Sequence, residues 1–184
     1  MSWPRLNAAR TSPDHRPLPV LRYTVGKKSV LFEVPQLRLG AVAAVLDGGR
    51  LLLTKRTDNG EWCLAGGAVE PGVRPAEAAE REAYEETGLS VRVTGLIGVY
   101  SNPDVVVVYP DGKRVQVVGM VFKAEVVAGE AGCSAEVSES GWFTSEEAAE
   151  LVVVAGHRPV LPAVFSGQPC FDPSVADEAA EDQG

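Results

Sequence analysis

An α/β fold, a mixed β-sheet flanked by helices, is predicted by three features of the chain. Paired strand-like runs are joined by glycine turns, an early helix sits among them, and more helical sequence follows near the end. The 184 residues, 45% of them hydrophobic, suffice for one substantial core and leave little for a second domain. The expected division is an N-terminal extension over residues 1–36 with a possible short hairpin, a principal domain over 37–168, and a flexible acidic tail over 169–184.

Taken in order, residues 1–19 form a loose lead in which Trp3 is the one candidate anchor. Residues 18–24 and 29–34 read as two short strands about Gly26-Lys27-Lys28. Residues 39–46 read as a buried strand, Asp47-Gly48-Gly49 as its turn and residues 50–55 as the returning strand, with Leu51, Leu52 and Leu53 in the core. After a turn at Asp58-Asn59-Gly60, Trp62 is expected to support the following loop as a buried aromatic, base stacking being the alternative. Further on, residues 91–98 suit a strand, and residues 105–109 and 115–126 a hairpin about Pro110-Asp111-Gly112, with 127–135 as connector. Thr144 and Glu147 suit a capping box opening a helix that runs to Leu151 or Val153 and stops by Gly156. A last helical segment is expected over 159–165. His157 reads as a local cap or surface residue, with phosphate contact as the functional alternative.

The chain is organised around residues 66–89. Gly66, Gly67 and Gly72 mark a tight loop, Pro75 suits a first helical turn, residues 76–87 are mostly good helix formers, and Gly88 fits a left-handed stop. Glu82, Glu85 and Glu86 stand at i, i+3 and i+4, so they share a helical face. Like charges so placed cost an isolated helix about 0.2–0.5 kcal/mol per pair, so helix stability does not select them. Hard divalent cations take carboxylate oxygens, and phosphate substrates complete their shells, which makes this cluster beside a glycine loop a candidate metal-phosphate site. A solvated acidic face is the plain alternative.

Composition narrows the function. A net charge of -8 argues against sequence-independent binding of extended nucleic acid, which relies on Lys and Arg, but not against a small nucleotide carried by a metal ion. Cys63, Cys133 and Cys170 form no CxxC pair, and with only His15 and His157 beside them they suggest a reducing, cytoplasmic setting rather than a zinc site. No signal-like start and no apolar run of membrane-spanning length is expected.

From Gly67 through Arg81, Glu82, Ala83, Glu85, Glu86, Gly88 and Leu89 the segment resembles the Nudix box of the MutT-like hydrolases. The likeness extends over about residues 39–151, including a glutamate before a Trp-Phe pair at residues 136–143. Two positions depart: Val73 replaces the first glutamate of the box, and Ala65 stands where a proline often precedes the glycines.

The resemblance implies an α/β/α Nudix sandwich with a catalytic loop-helix-loop. It implies that Glu82, Glu85 and Glu86, with the Gly67 carbonyl, hold Mg²⁺ or Mn²⁺, that Arg81 orients a helix glutamate, a simple helix salt bridge being the alternative, and that Glu139, or second Glu136, accepts a proton from water or completes the metal shell. Gly66, Gly67 and Arg56 are the expected substrate contacts. The implied reaction is cleavage of a pyrophosphate linkage in a small nucleoside diphosphate derivative such as ADP-ribose, or in a nucleoside triphosphate. A homodimer is compatible with the N-terminal extension. The loss of a carboxylate at Val73 keeps open a catalytically weak nucleotide-binding or sensing module, with Arg81 relying on Glu77, Glu85 or another acid, or on Glu70.

Overall fold

The computed structural model describes residues 20–25, 28–33, 36–102, 105–108 and 112–170. The lead with Trp3, residues 26–27 of the first turn, Pro110-Asp111 of the second and the segment 171–184 lie outside the described residues.

Strands β1 (Val20–Val25) and β2 (Lys28–Glu33) pair antiparallel, Val20 opposite Glu33 and Val25 opposite Lys28, so the expected hairpin forms and Lys28 belongs to a strand rather than to its turn. The remaining order is β3 (Gln36–Asp47), β4 (Arg50–Arg56), β5 (Trp62–Cys63), β6 (Ala65–Ala68), α1 (Pro75–Thr87), β7 (Ser90–Tyr100), β8 (Val106–Val108), β9 (Arg114–Ala128), β10 (Val137–Phe143), α2 (Ser145–Ala149), a 3₁₀ turn (Arg158–Val160) and α3 (Leu161–Ser166).

The sheet is mixed, as expected, and β3 is its axis. It runs parallel to β9 from Gln36 opposite Val115 to Val45 opposite Ala124. On its other side it pairs antiparallel first with β6, Gly40 opposite Ala68 to Ala43 opposite Ala65, and then with β4 at Leu46 and Asp47. Successive strand residues point to opposite faces. Ala41, Ala43 and Val45 accordingly pack with Ala78, Ala79 and Ala83 of α1, while Val42 and Ala44 join Leu51, Leu53, Leu64, Val160, Leu161 and Val164. Helices therefore cover both faces, giving the α/β/α sandwich. The small residues on the α1 side let the helix approach the strand closely.

Two boundaries differ from expectation. β9 runs on to Ala128, through the start of the expected connector. Helix α2 stops at Ala149, well short of Leu151 or Val153. Its capping box is present, with Glu147 N–H donating to Thr144 Oγ1 and Thr144 N–H to Glu147 Oε2. What shortens it is a longer-range demand: Trp62 N–H donates to the Val152 carbonyl at 2.8 Å and Val154 N–H to the Trp62 carbonyl at 2.9 Å, which draws this segment into extended pairing.

At the other end of the domain, Cys170 pairs with β7. Its N–H donates to the Ile97 carbonyl at 2.9 Å and its carbonyl accepts from Val99 N–H at 3.1 Å, so ordered pairing continues past residue 168. A Cβ at Gly98 would lie 1.6 Å from the Cys170 oxygen, so only glycine admits this approach. Gly98→Ala is expected to release the C-terminal segment while sparing the core, seen as faster proteolysis near residue 170 and a destabilisation of about 1–3 kcal/mol in urea unfolding. Wild-type stability and wild-type cleavage would contradict that role.

Candidate active site

The glycine pair and α1 form one unit. A Cβ on Gly66 would sit 2.4 Å from the Ala41 carbonyl oxygen, and one on Gly67 2.6 Å from the Glu82 carboxylate carbon. Neither position admits a side chain, so main chain and carboxylate meet directly. Pro75 opens α1, and Gly88 closes it at φ 78°, donating its N–H to the Tyr84 carbonyl at 2.8 Å, as its αL position requires. Glu80 Oε1 accepts from Val93 N–H at 2.7 Å and ties the helix to β7.

The three glutamates of the expected cluster do not share one environment. Glu82 is 1% exposed and lies under Gly67. Burial raises its pKa, with Arg81 opposing and Glu85 adding to the rise. Glu86 is held by the Gly66 amide and by Thr54 Oγ1, 3.5 Å from its Oε2. Burial pushes its pKa up to about 8, the charges of Glu82 and Glu136 push the same way, and the Gly66 bond and Arg56 oppose them. Glu85 is exposed on α1. Among the described residues no three His, Cys, Asp or Glu side chains are assembled as a ready metal cage. The donor set nonetheless fits a hard divalent cation: the buried Glu82 and half-buried Glu86 carboxylates crowd against one another and against a glycine backbone that leaves no side chain in the way.

Arg81 joins this network. Its Nη2 donates to Glu82 Oε1 at 2.9 Å, the helix-glutamate contact expected of it, and its Nη1 lies 3.8 Å from Glu70 Oε2. Its Nε is buried with no hydrogen-bond partner among the described residues. Val73 packs in the apolar cluster on the α1 side and supplies no acceptor. Of the acids proposed to serve Arg81 in its place, Glu77 is engaged by Arg74, Nη1 to Oε1 at 3.0 Å, while Glu70 approaches Arg81 itself.

A cavity of about 670 Å³ opens beside this network, within the usual size of small-molecule sites. Arg56, Gly66, Gly67 and Glu86 line it, together with Glu136; Arg81, Glu82, Glu85 and Glu139 do not. Glu139 is instead paired at the surface with Lys55, Nζ to Oε1 at 2.7 Å. Of the two acids, Glu136 therefore lies at the cavity and Glu139 at the surface. Arg56 is gripped by Asp58, Nε to Oδ1 at 2.8 Å and Nη2 to Oδ2 at 2.5 Å. That bond raises the arginine pKa and lowers the aspartate's. Sequence reasoning had no part for Asp58 beyond a turn.

Trp62 is half-buried and meets Phe143 edge to face, centroids 4.9 Å apart, which supports the loop as expected. His157 stands at the N-cap position of the 3₁₀ turn, half-buried, but its side chain does not cap: its Nδ1 accepts the Leu64 N–H at 3.1 Å, just before the glycine pair. Burial, then the Arg56 charge, lowers its pKa to about 4.

The family model of the NUDIX domain matches residues 36–164. The chain belongs to the Nudix family. It is 36% identical over 118 residues to a MutT-like protein of Streptomyces ambofaciens, covering 63% of this chain and 70% of that one. It is 38% identical over 109 residues to an ADP-ribose pyrophosphatase of Methanocaldococcus jannaschii, covering 55% and 61%. The solved MutT Nudix hydrolase of Burkholderia pseudomallei superposes with a TM-score of 0.60 at 28% identity, over 70% of this chain and 98% of that one.

Two outcomes follow from the geometry. Glu70→Gln should lower kcat/KM by a few-fold to about tenfold by loosening Arg81, and adding Val73→Glu should restore part of it, each with the thermal midpoint checked. Unchanged kinetics in Glu70→Gln would mean that Arg81 does not depend on Glu70. Separately, the folded pKa of His157 lies below its unfolded value, so the unfolded chain binds the extra proton between pH 6.5 and about 4. Stability from this group is complete above pH 6.5 and is lost as pH falls, by on the order of 3 kcal/mol. The stability gap between wild type and His157→Asn, followed by urea unfolding, should therefore shrink across that window; a constant gap would refute it.

Proposed function

We propose that this protein hydrolyses the pyrophosphate linkage of a small nucleoside diphosphate derivative such as ADP-ribose, giving two monophosphates, with a nucleoside triphosphate as the second substrate type. The carrying observation is the placement of Glu86, half-buried, held by the Gly66 amide and beside Glu82, at the wall of a cavity that also holds Arg56. Glu82 and Glu86, with Glu85 swinging in from the helix surface and the Gly67 carbonyl, would hold Mg²⁺ or Mn²⁺. A bound divalent cation supplies charge neutralisation for the pyrophosphate oxygens and lowers the pKa of the attacking water.

The chain's own groups divide the remaining work. Arg81 orients Glu82 through its charge-assisted bond. Arg56, fixed by Asp58, keeps donors for a phosphate or base edge, since the aspartate occupies only two of its five N–H groups. Glu136 is the proton acceptor of choice because it lines the cavity near Glu86, whereas Glu139 is spent on Lys55. The apolar wall of Val42, Val105, Val107, Val108 and Val117 suits a compact nucleoside rather than an extended, electropositive RNA path. Cytoplasmic residence and a homodimer belong to the same proposal; the former is supported by three cysteines that form no disulfide, and among the described residues no helix is long and apolar enough to cross a membrane.

A second reading, binding with little turnover, draws on Val73 and the unbonded Arg81 Nε. Product masses from a nucleotide panel with Mg²⁺ decide between them. Hydrolysis that disappears on metal removal, and falls at least about a hundredfold in Glu86→Gln, is the expected result. Calorimetric binding of ADP-ribose without product under several metals would establish the second reading instead.

A further inference from the structure

The cavity is also lined by a histidine that the proposed hydrolysis does not use. His157 lines it, and its Nδ1 accepts the Leu64 N–H. An accepting Nδ1 on a neutral ring puts the proton on Nε2. Tyr100 fixes the ring from another side, edge to face, with centroids 5.8 Å apart and planes at 89°. Among the described residues Nε2 has no hydrogen-bond partner, and the half-buried ring lines the cavity.

We propose that His157 is a specificity residue: with its tautomer set by the Leu64 amide, it directs Nε2–H at an uncharged hydrogen-bond acceptor of the substrate, on the nucleobase or a sugar. The identity of the bound molecule rests on the hydrolase reading; the donor itself does not. Charge separates this acceptor from a phosphate oxygen. The imidazole stays neutral at physiological pH, because burial and Arg56 disfavour its cation, so it offers an anion much less than Arg56 does. Because Nδ1 is taken, the ring donates and cannot accept. It therefore favours a carbonyl, hydroxyl oxygen or ring nitrogen at this point and rejects an amino group, the kind of discrimination that a polar site makes well.

His157→Asn tests this, since its Oδ1 can take over the Leu64 N–H while the side chain falls short of the Nε2 position. ADP-ribose, ADP-glucose and UDP-glucose serve as substrates, with inorganic pyrophosphate as competitor. The expected result is a KM raised about five- to tenfold, with the loss falling on KM rather than kcat. A rise shared by the two ADP compounds but not UDP-glucose places the acceptor on the base. A rise that distinguishes ADP-ribose from the two glucose compounds places it on the terminal sugar, and an equal rise with pyrophosphate inhibition unaffected places it on the nucleoside ribose. Unchanged KM throughout, weakened pyrophosphate inhibition, or a lost kcat with a lost acidic limb in the pH profile overturns the proposal.

If wild type turns over none of the three, the hydrolase reading fails on its own. ADP-ribose affinity by calorimetry then tests the donor: about five- to tenfold weaker binding in His157→Asn supports it, and equal affinity, or no binding to either form, overturns it. Should the variant not fold, the wild-type imidazole is read directly by ¹⁵N–¹H correlation. An Nε2–H signal that shifts with ADP-ribose and not with pyrophosphate supports the assignment. A protonated Nδ1, or no shift, overturns it.

Discussion

The close approach of the glycine pair to its neighbours is the constraint on which the site depends. Gly66 lies against the β3 backbone and Gly67 against the Glu82 carboxylate, each with no room for a methyl group. This contact sets the depth at which α1 can sit, and the alanines of β3 and α1 allow that depth. A buried carboxylate is costly without compensation. Here the compensation comes from Arg81 and the Gly66 amide, while the crowding that remains favours a cation.

The same region carries the chain's departure from the usual box. A guanidinium has five donors in a rigid fork, and in Arg81 they are unevenly served: Glu82 close, Glu70 at longer range, and Nε without a partner among the described residues. Val73 has meanwhile become part of the apolar packing. The substitution thus moves one position from an electrostatic role to a packing role, and Glu70, three residues earlier, approaches the arginine from the other end of the loop.

Much of this was legible in the sequence because the signals were local. Pro75, the helix formers after it and Gly88 bound α1; Asp47-Gly48-Gly49 and Pro110-Asp111-Gly112 mark hairpins; Thr144 and Glu147 mark a cap. What escaped depends on contacts between distant parts of the chain. Helical spacing groups Glu82, Glu85 and Glu86 but does not say which turn inward, a matter decided by the neighbours of α1. Lys55 holds Glu139 at the surface, and pairing with Trp62 ends α2 early. A lone histidine 93 residues from its partner Leu64 carries no local pattern at all.

The divided pairing of β3 has a further consequence. By turning from β6 to β4 between Ala43 and Leu46, the strand lets the sheet part, and the hollow beside the glycine pair belongs to that fork in the main chain. Its rim is furnished by side chains from separate segments, β4, β8 and the stretch before the 3₁₀ turn, none of which has to move the fork when it changes. Rim side chains can therefore be exchanged without disturbing the glycine pair, which is anchored to backbone.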